Sequence, residues 1–202
     1  MDDTLPAALA ADLDAAFERL VRSHQDRLYT IALRLLGDPR DAEEVAQDAF
    51  VRAHRAIAEY PPERTRELRL RPWLATIVVN LCRNRGRRRQ PSLVPIDQPD
   101  GGEAPGPSVA GVLRSFDPGA SPHDAALRRD GARHWAGLLA TLPDRYRAPV
   151  VLRHVDGLSY EEMATVLGRP EGTIKAQVHR GLAQLRAAAE EASRGELEEM
   201  TA

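Results

Sequence analysis

The sequence predicts an all-α protein: two small helical domains joined by a flexible, acidic Pro/Gly-rich linker, the second containing a helix-turn-helix. Three observations predict it. Apolar residues recur at spacings of three and four on both sides of the linker, and no alternating strand pattern occurs. From Gln90 to Asp124 the composition shifts to seven prolines and five glycines in 35 residues, too poor in core-forming residues to pack. Gly157 to Arg186, GLSYEEMATVLGRPEGTIKAQVHRGLAQLR, reads as two helices joined by a glycine and a proline. The predicted organisation is an N-terminal tail at 1–14, a first domain at 15–89, the linker at 90–124, a second domain at 125–190 and a C-terminal tail at 191–202.

In the first domain, Phe17, Leu20, Val21, Leu28, Ile31 and Leu35 mark an amphipathic helix ending at Gly37. Asp38-Pro39 starts a second, which buries Ala42, Val45, Ala46, Ala49, Phe50, Ala53 and Ile57. Its opposite face is left with Asp41, Glu44, Gln47, Asp48 and Arg52, and no internal partner for these is in view. Pro61-Pro62 breaks that helix. A third begins around Pro72, turns Trp73, Leu74, Ile77 and Leu81 inward, and runs into RNRGRRR. From Arg64 to Arg89 there are nine arginines and one acid, Glu67. Such a cluster is a solvated face, a localisation signal or a phosphate-binding surface. Asn80 and Asn84 on the same helix, able to hydrogen-bond base edges, favour the last.

In the second domain, Ser121-Pro122 with Asp124 starts a helix whose core face is Leu127, Trp135, Leu138, Leu139 and Leu142, and Pro149 should kink or delay the next segment. Ser159 and Glu162 form a capping box, with Leu158 and Met163 as the hydrophobic staple. Met163, Val166 and Leu167 give an apolar face, Gly168 suits a left-handed terminus, and Pro170 is tolerated in a first turn. The last helix buries Ile174, Val178, Leu182 and Leu185, leaving Thr173, Ala176, Arg180 and Ala183 outward, flanked by Lys175, Gln177, His179 and Gln184. A polar, slightly basic face with small residues can enter a major groove, where Arg or Lys pairs with guanine and Gln with adenine.

Composition narrows the function classes. Net charge is -2, with 27 arginines and one lysine among the 28 basic residues. No apolar run is long enough for membrane insertion, and the acidic start MDDTLPAALAADLDAAF does not resemble a signal peptide, so the cytoplasm is the expected compartment. Cys82 is the one cysteine, and the six histidines lack metal-ligand spacing, so neither a disulfide, a metal nor any other cofactor is expected.

DPRDAEEVAQDAFVRAHRAI, PWLATIVVNLCRNRGRRR and LPDRYRAPVVLRHVDGLSYEEMATVLGRPEGTIKAQVHRGLAQLR, in this order and spacing, resemble the extracytoplasmic-function (ECF, group 4) sigma factors of bacterial RNA polymerase over nearly all of residues 15–190. The resemblance implies a non-enzymatic factor that binds core polymerase and directs promoter-specific initiation, with 15–89 as sigma region 2 and 125–190 as region 4. It implies a core-polymerase face of Asp41, Glu44, Gln47, Asp48 and Val51. Minus-ten DNA would meet Asn80, Arg83, Asn84, Arg85, Arg87 and Arg88, where a base captured from the melted strand offsets its unstacking. Minus-thirty-five DNA would meet Thr173, Lys175, Ala176, Gln177, His179 and Arg180. Partners would be core RNA polymerase, promoter DNA and an anti-sigma factor, and the free protein would be a monomer. One departure stands out: where many relatives carry approximately F-R-G-[ED]-S, this chain has ERTRELRLR.

Two rival readings remain. A free-standing dimeric helix-turn-helix regulator would need a dimerisation seam, and no long heptad pattern supplies one. A DNA-processing enzyme could use Asp41, Glu43, Glu44 and Asp48 for magnesium, but acids spaced by three and four on an exposed helix are ordinarily a solvated stripe, and no activated nucleophile lies nearby.

Overall fold

The computed structural model describes residues 4–89 and 137–199, with side chains placed through Arg87 in the first stretch and through Glu191 in the second. The predicted linker, the helix start at Ser121 to Asp124, Leu127, Trp135 and the side chain of Arg88 lie outside the described residues. Those described are helical, without strands, and form two bodies.

The first body comprises α1 (Leu5–Ala11), α2 (Leu13–Leu36), α3 (Pro39–Glu59), α4 (Pro62–Arg66) and α5 (Leu70–Arg89). Asp12 caps α2 by accepting from the Ala15 amide at 3.0 Å. Gly37 ends it at φ 75°, a conformation that penalises any side chain. The chain turns at once into α3, because Asp38 accepts from the Arg40 and Asp41 amides while Pro39 occupies the first turn, where its missing N–H is not needed. α2, α3 and α5 pack pairwise around Leu20, Leu28, Ile31, Phe50 and Leu74, all fully buried. The seven positions expected inward on α3 are buried, whereas Phe17, Leu35, Trp73 and Ile77 are half-buried at the margin.

Three elements extend beyond the sequence expectation. Residues 1–14 read as a tail, yet α1 packs against α2 and α4 and buries Leu5 and Leu9. α4 occupies the stretch after Pro61 that reads only as a break. α5 starts at Leu70 rather than near Pro72, since a proline within the first turn lacks only an amide that has no helical partner.

The second body begins with helical residues 137–140 and continues as α6 (Asp144–Val150), a π-helical turn (Val151–Val155), α7 (Tyr160–Leu167) and α8 (Glu171–Glu199). Pro149 does disturb its segment. It sits inside α6, and the widened turn follows directly, closed by the Asp156 amide donating to the Val151 carbonyl at 3.1 Å. α8 runs past the domain boundary expected at Glu190, through part of the expected C-terminal tail, to Glu199. The two bodies pack on each other where the π-helical turn meets α2 and α7 meets α5.

Candidate nucleic-acid interface

The second body presents the sharper surface. Ser159 Oγ accepts from the Glu162 amide at 3.1 Å, and Glu162 Oε2 accepts from the Ser159 amide at 2.8 Å, so the capping box is complete. Burial alone would raise the Glu162 carboxyl, but its bonds to Ser159 and the nearby Arg69 and Arg71 hold it below the usual range. Leu158 and Met163 are fully buried, and Gly168 takes φ 64° to end α7. On α8, Ile174, Val178 and Leu185 are buried and Leu182 half-buried, which fixes the rotation of the helix. Thr173, Lys175, Ala176, His179 and Arg180 are consequently exposed. Gln177 is half-buried, its Oε1 accepting from Arg169 at 3.0 Å, and Lys175 pairs with Glu171 at 2.8 Å.

α8 approaches α6 closely at Gly181, where an ideal Cβ would lie 2.6 Å from Val150 Cγ2. An open depression of about 610 Å³ runs along the outward face between Arg145 and Tyr146 of α6 and Thr173, Ala176, Gln177 and Arg180 of α8. Sequence reasoning missed Arg145. The available signal is its place beside Tyr146, over whose ring the guanidinium lies at 4.8 Å, as a basic group flanking the outward helix would.

On α5, Asn80, Arg83, Asn84 and Arg87 are all exposed, and their spacings of three, four and seven put them on one face. Arg87 donates to Asn84 Oδ1 at 2.7 Å. Burial, then Arg169 and Arg87, depress the Arg83 guanidinium, so three cations gather where this face nears the second body. A cleft of about 740 Å³ lies there, with Asn80, Arg83 and Arg87 on one wall and Asp144 and Arg147 on the other.

Arg85 does not share this face. Its Nε donates to Asp41 at 2.8 Å and its Nη2 to Glu44, joining α5 to α3. Asp41 is only 6% exposed. The expected absence of an internal partner for the α3 acids is therefore wrong for these two. Glu44 and Asp48 are exposed, and Gln47 and Val51 half-buried, so the acidic strip remains open beyond the Arg85 clamp. Among the described residues, no group of His, Cys, Asp and Glu could hold a metal ion, and no helix is long and apolar enough to cross a membrane.

Fold and surfaces together define a two-body helical protein with a helix-turn-helix on one body and a basic, asparagine-bearing helix on the other. Residues 20–91 match Sigma-70 region 2, and residues 135–185 match Sigma-70, region 4. The chain is 31% identical over 171 residues to the ECF RNA polymerase sigma factor SigW of Bacillus subtilis, covering 85% of this chain and 87% of that one. It is 37% identical over 181 residues to the ECF RNA polymerase sigma factor SigE of Mycolicibacterium smegmatis, covering 85% of this chain but 60% of that relative's length. Among solved structures, the sigma factor RpoE in complex with the anti-sigma factor NepR from Bartonella quintana is 25% identical with a TM-score of 0.58, covering 86% of this chain and 96% of that one. The structure of CnrH in complex with the cytosolic domain of CnrY shares the fold, with a TM-score of 0.65 at 24% identity over 94% of this chain and 97% of that one. The chain belongs to the ECF sigma factors of RNA polymerase.

Proposed function

We propose that this sigma factor divides its work among three faces: α3 docks core polymerase, the outer face of α5 captures melted minus-ten DNA, and α8 reads the minus-thirty-five element. It acts without catalysis or cofactor, in the cytoplasm, and is a monomer when free. The observation that carries the proposal is the α5 face, where an exposed asparagine sits among arginines on a helix whose other side is core. Arginines supply sequence-independent phosphate binding, and an asparagine can hydrogen-bond a base edge once that base leaves the stack. On α3, Glu44, Gln47, Asp48 and Val51 form an acidic, partly apolar strip suited to a basic partner helix, with Asp41 holding Arg85 behind it. On α8, Arg180 and Lys175 would read guanine and Gln177 adenine, once Lys175 leaves Glu171 and Gln177 leaves Arg169. An anti-sigma factor fits as a further partner, since the RpoE relative is found with one.

The test is Asn80→Ala assayed on two templates. Open-complex formation should fall more on duplex promoter than on a template already mismatched at minus ten, because the lost contact rewards base capture rather than docking. Equal defects on both would defeat the assignment.

A further inference from the structure

The final turns of α5 carry Arg83, Asn84 and Arg87 of the minus-ten face, yet they have no apolar anchor. The buried residues of that helix run from Leu70 to Cys82, and after Cys82 come Arg83, Asn84, Arg85, Gly86 and Arg87, none of them buried. Guanidinium groups four apart, such as Arg83 and Arg87, repel one another on one helix face. Gly86 is, after proline, the residue type least suited to a helix interior. Such a segment frays unless something outside it holds it. Among the described residues, the side-chain hydrogen bonds from this stretch to another helix are all made by Arg85. Arg87 donates within the stretch, to Asn84.

Arg85 reaches across to α3 with two donors, its Nε to Asp41 at 2.8 Å and its Nη2 to Glu44. The Glu44 bond foremost, helped by the charge of both carboxylates, raises the guanidinium above its ordinary value in spite of burial. Asp41 is almost fully buried in the first turn of α3, where its own amide donates to the Asp38 cap at 3.0 Å, so the start of that helix fixes its place. At 3.6 residues per turn each step along α5 turns about 100°, which puts Asn84 roughly 40° from Asn80 and Arg85 roughly 140° from it. Arg85 therefore points away from a strand lying on the Asn80 face. A partner helix laid on α3 likewise meets the exposed Glu44 rather than the buried Asp41.

From this we propose that Asp41 and Arg85 are positioning residues that touch neither polymerase nor DNA: their pairing pins the final turns of α5 to α3 and so aims Asn80, Arg83, Asn84 and Arg87 at the melted strand. The role follows from the minus-ten reading of the α5 face, on which it rests, and it moves two residues off the contact surfaces where the family resemblance puts them. Pinning matters because contacts to phosphate and base edges offset the unstacking of a base only when their donors are already in place. A donor that must first be ordered loses part of each bond to its own immobilisation. Glu44, exposed on the α3 strip, is the one member of the clamp that a docking partner can also reach.

The experiment reads open-complex formation on duplex promoter and affinity for core polymerase, both with the full chain. Asp41→Asn keeps the Arg85 charge but loosens its hold; it should slow open-complex formation roughly tenfold, as loss of a charged hydrogen bond does, with core affinity unchanged. Arg85→Gln should give a similar defect. The double variant, in which the buried carboxylate and the cation are both neutral, should fold and be no worse than either alone, checked by circular dichroism and the urea midpoint. Gly86→Ala, whose added methyl meets nothing within 4 Å, stiffens the same turns and should recover several-fold of the loss in the Arg85→Gln chain. A phosphate-contacting Arg85 predicts otherwise: Asp41→Asn would leave DNA binding at wild-type strength and Gly86→Ala would rescue nothing. A polymerase-contacting Asp41 predicts that core affinity falls. Either result overturns the positioning role. Equal defects of Asn80→Ala on duplex and premelted templates would instead overturn the minus-ten reading. Amide hydrogen exchange across 83–89, which should quicken in Arg85→Gln and slow again with Gly86→Ala, would still decide the pinning.

Discussion

Gly181 is the position where the geometry of the reader is most sharply constrained. In an exposed helix, replacing glycine by alanine stabilises by roughly 0.5–1 kcal/mol, because the unfolded chain loses freedom. At Gly181 the new methyl would sit 2.6 Å from Val150 Cγ2 and 3.3 Å from Tyr146 Cβ. Carbon atoms rest comfortably at about 3.5–4.0 Å, so close to 1 Å must be absorbed. The valine cannot swing aside, being β-branched, stiff at χ1 and only 3% exposed. Either α8 moves off α6 or the side chains strain, at a cost of about 1–3 kcal/mol that exceeds the helix gain. Gly181→Ala should therefore destabilise region 4 by roughly 1–2 kcal/mol, measured by urea unfolding of the full chain followed by far-ultraviolet circular dichroism. The decisive control is Val150→Ala, which makes room: in that background the same substitution should cost far less, a coupling that a merely local helix effect would not produce. Minus-thirty-five binding in the holoenzyme should fall with Gly181→Ala, since α6 fixes where Arg180 points. A gain in stability, or additive effects of the two substitutions, would refute the close-packing argument.

The remaining predictions concern caps and titrating groups. Asp38→Ala removes the acceptor for two amides at the start of α3 and should lower stability by about 1 kcal/mol in thermal unfolding, with Asp38→Asn or Asp38→Ser retaining most of it. Glu162→Gln should keep the capping box, since glutamine can make the same backbone bond, while losing the charge that faces Arg69. Because the folded carboxyl is held below its free value, its stabilisation is present above about pH 4.5 and fades as pH falls through the lower folded value, so only the wild type should show that acid-side loss. His24 behaves in the opposite chemical sense: burial first, then Arg27 and Arg71, against the opposing pull of Asp156, lower it from 6.5 to about 4. The unfolded chain then takes up a proton that the folded one refuses, so stability should decline from pH 6.5 to about 4, and His24→Gln should flatten that part of the urea-midpoint profile.

What the sequence revealed and what it hid divide along separation in the chain. Ser159 and Glu162 are three apart, and Gly37, Asp38 and Pro39 adjacent, so their chemistry could be read as local capping and proved to be so. The α8 stripe likewise fixes its own outward face by period alone. Arg85 and Asp41 are 44 residues apart and Arg27 and Asp156 129 apart, and no periodicity announces such pairs. Asp156 carries no signal in the sequence that singles it out, yet its side chain is fully buried against Arg27 where the two bodies meet. Leu5 and Leu9 were hidden for another reason: a helix of seven residues repeats its apolar spacing only once, which is too little to distinguish from chance. The departure at ERTRELRLR was visible, but as an anomaly in minus-ten recognition, because the surface that Arg69 and Arg71 meet becomes evident only in three dimensions.

The buried residues of the two bodies form one continuous hydrophobic cluster, which runs from Leu5 and Leu9 of α1 to Leu185 of α8. Phe50, Leu20 and Leu74 are buried among the first five helices, and Leu152, Met163 and Ile174 among the last three helices and the π-helical turn. Where the bodies meet, charged groups accompany this cluster: Arg27 donates to the buried Asp156, and Arg71 donates to its carbonyl. Among the described residues, Val155, 43% exposed, is the one large apolar side chain that stands out from the surface, and it precedes the buried Asp156 in sequence. These charged pairs are strong where they are dry and weaken steeply where water enters.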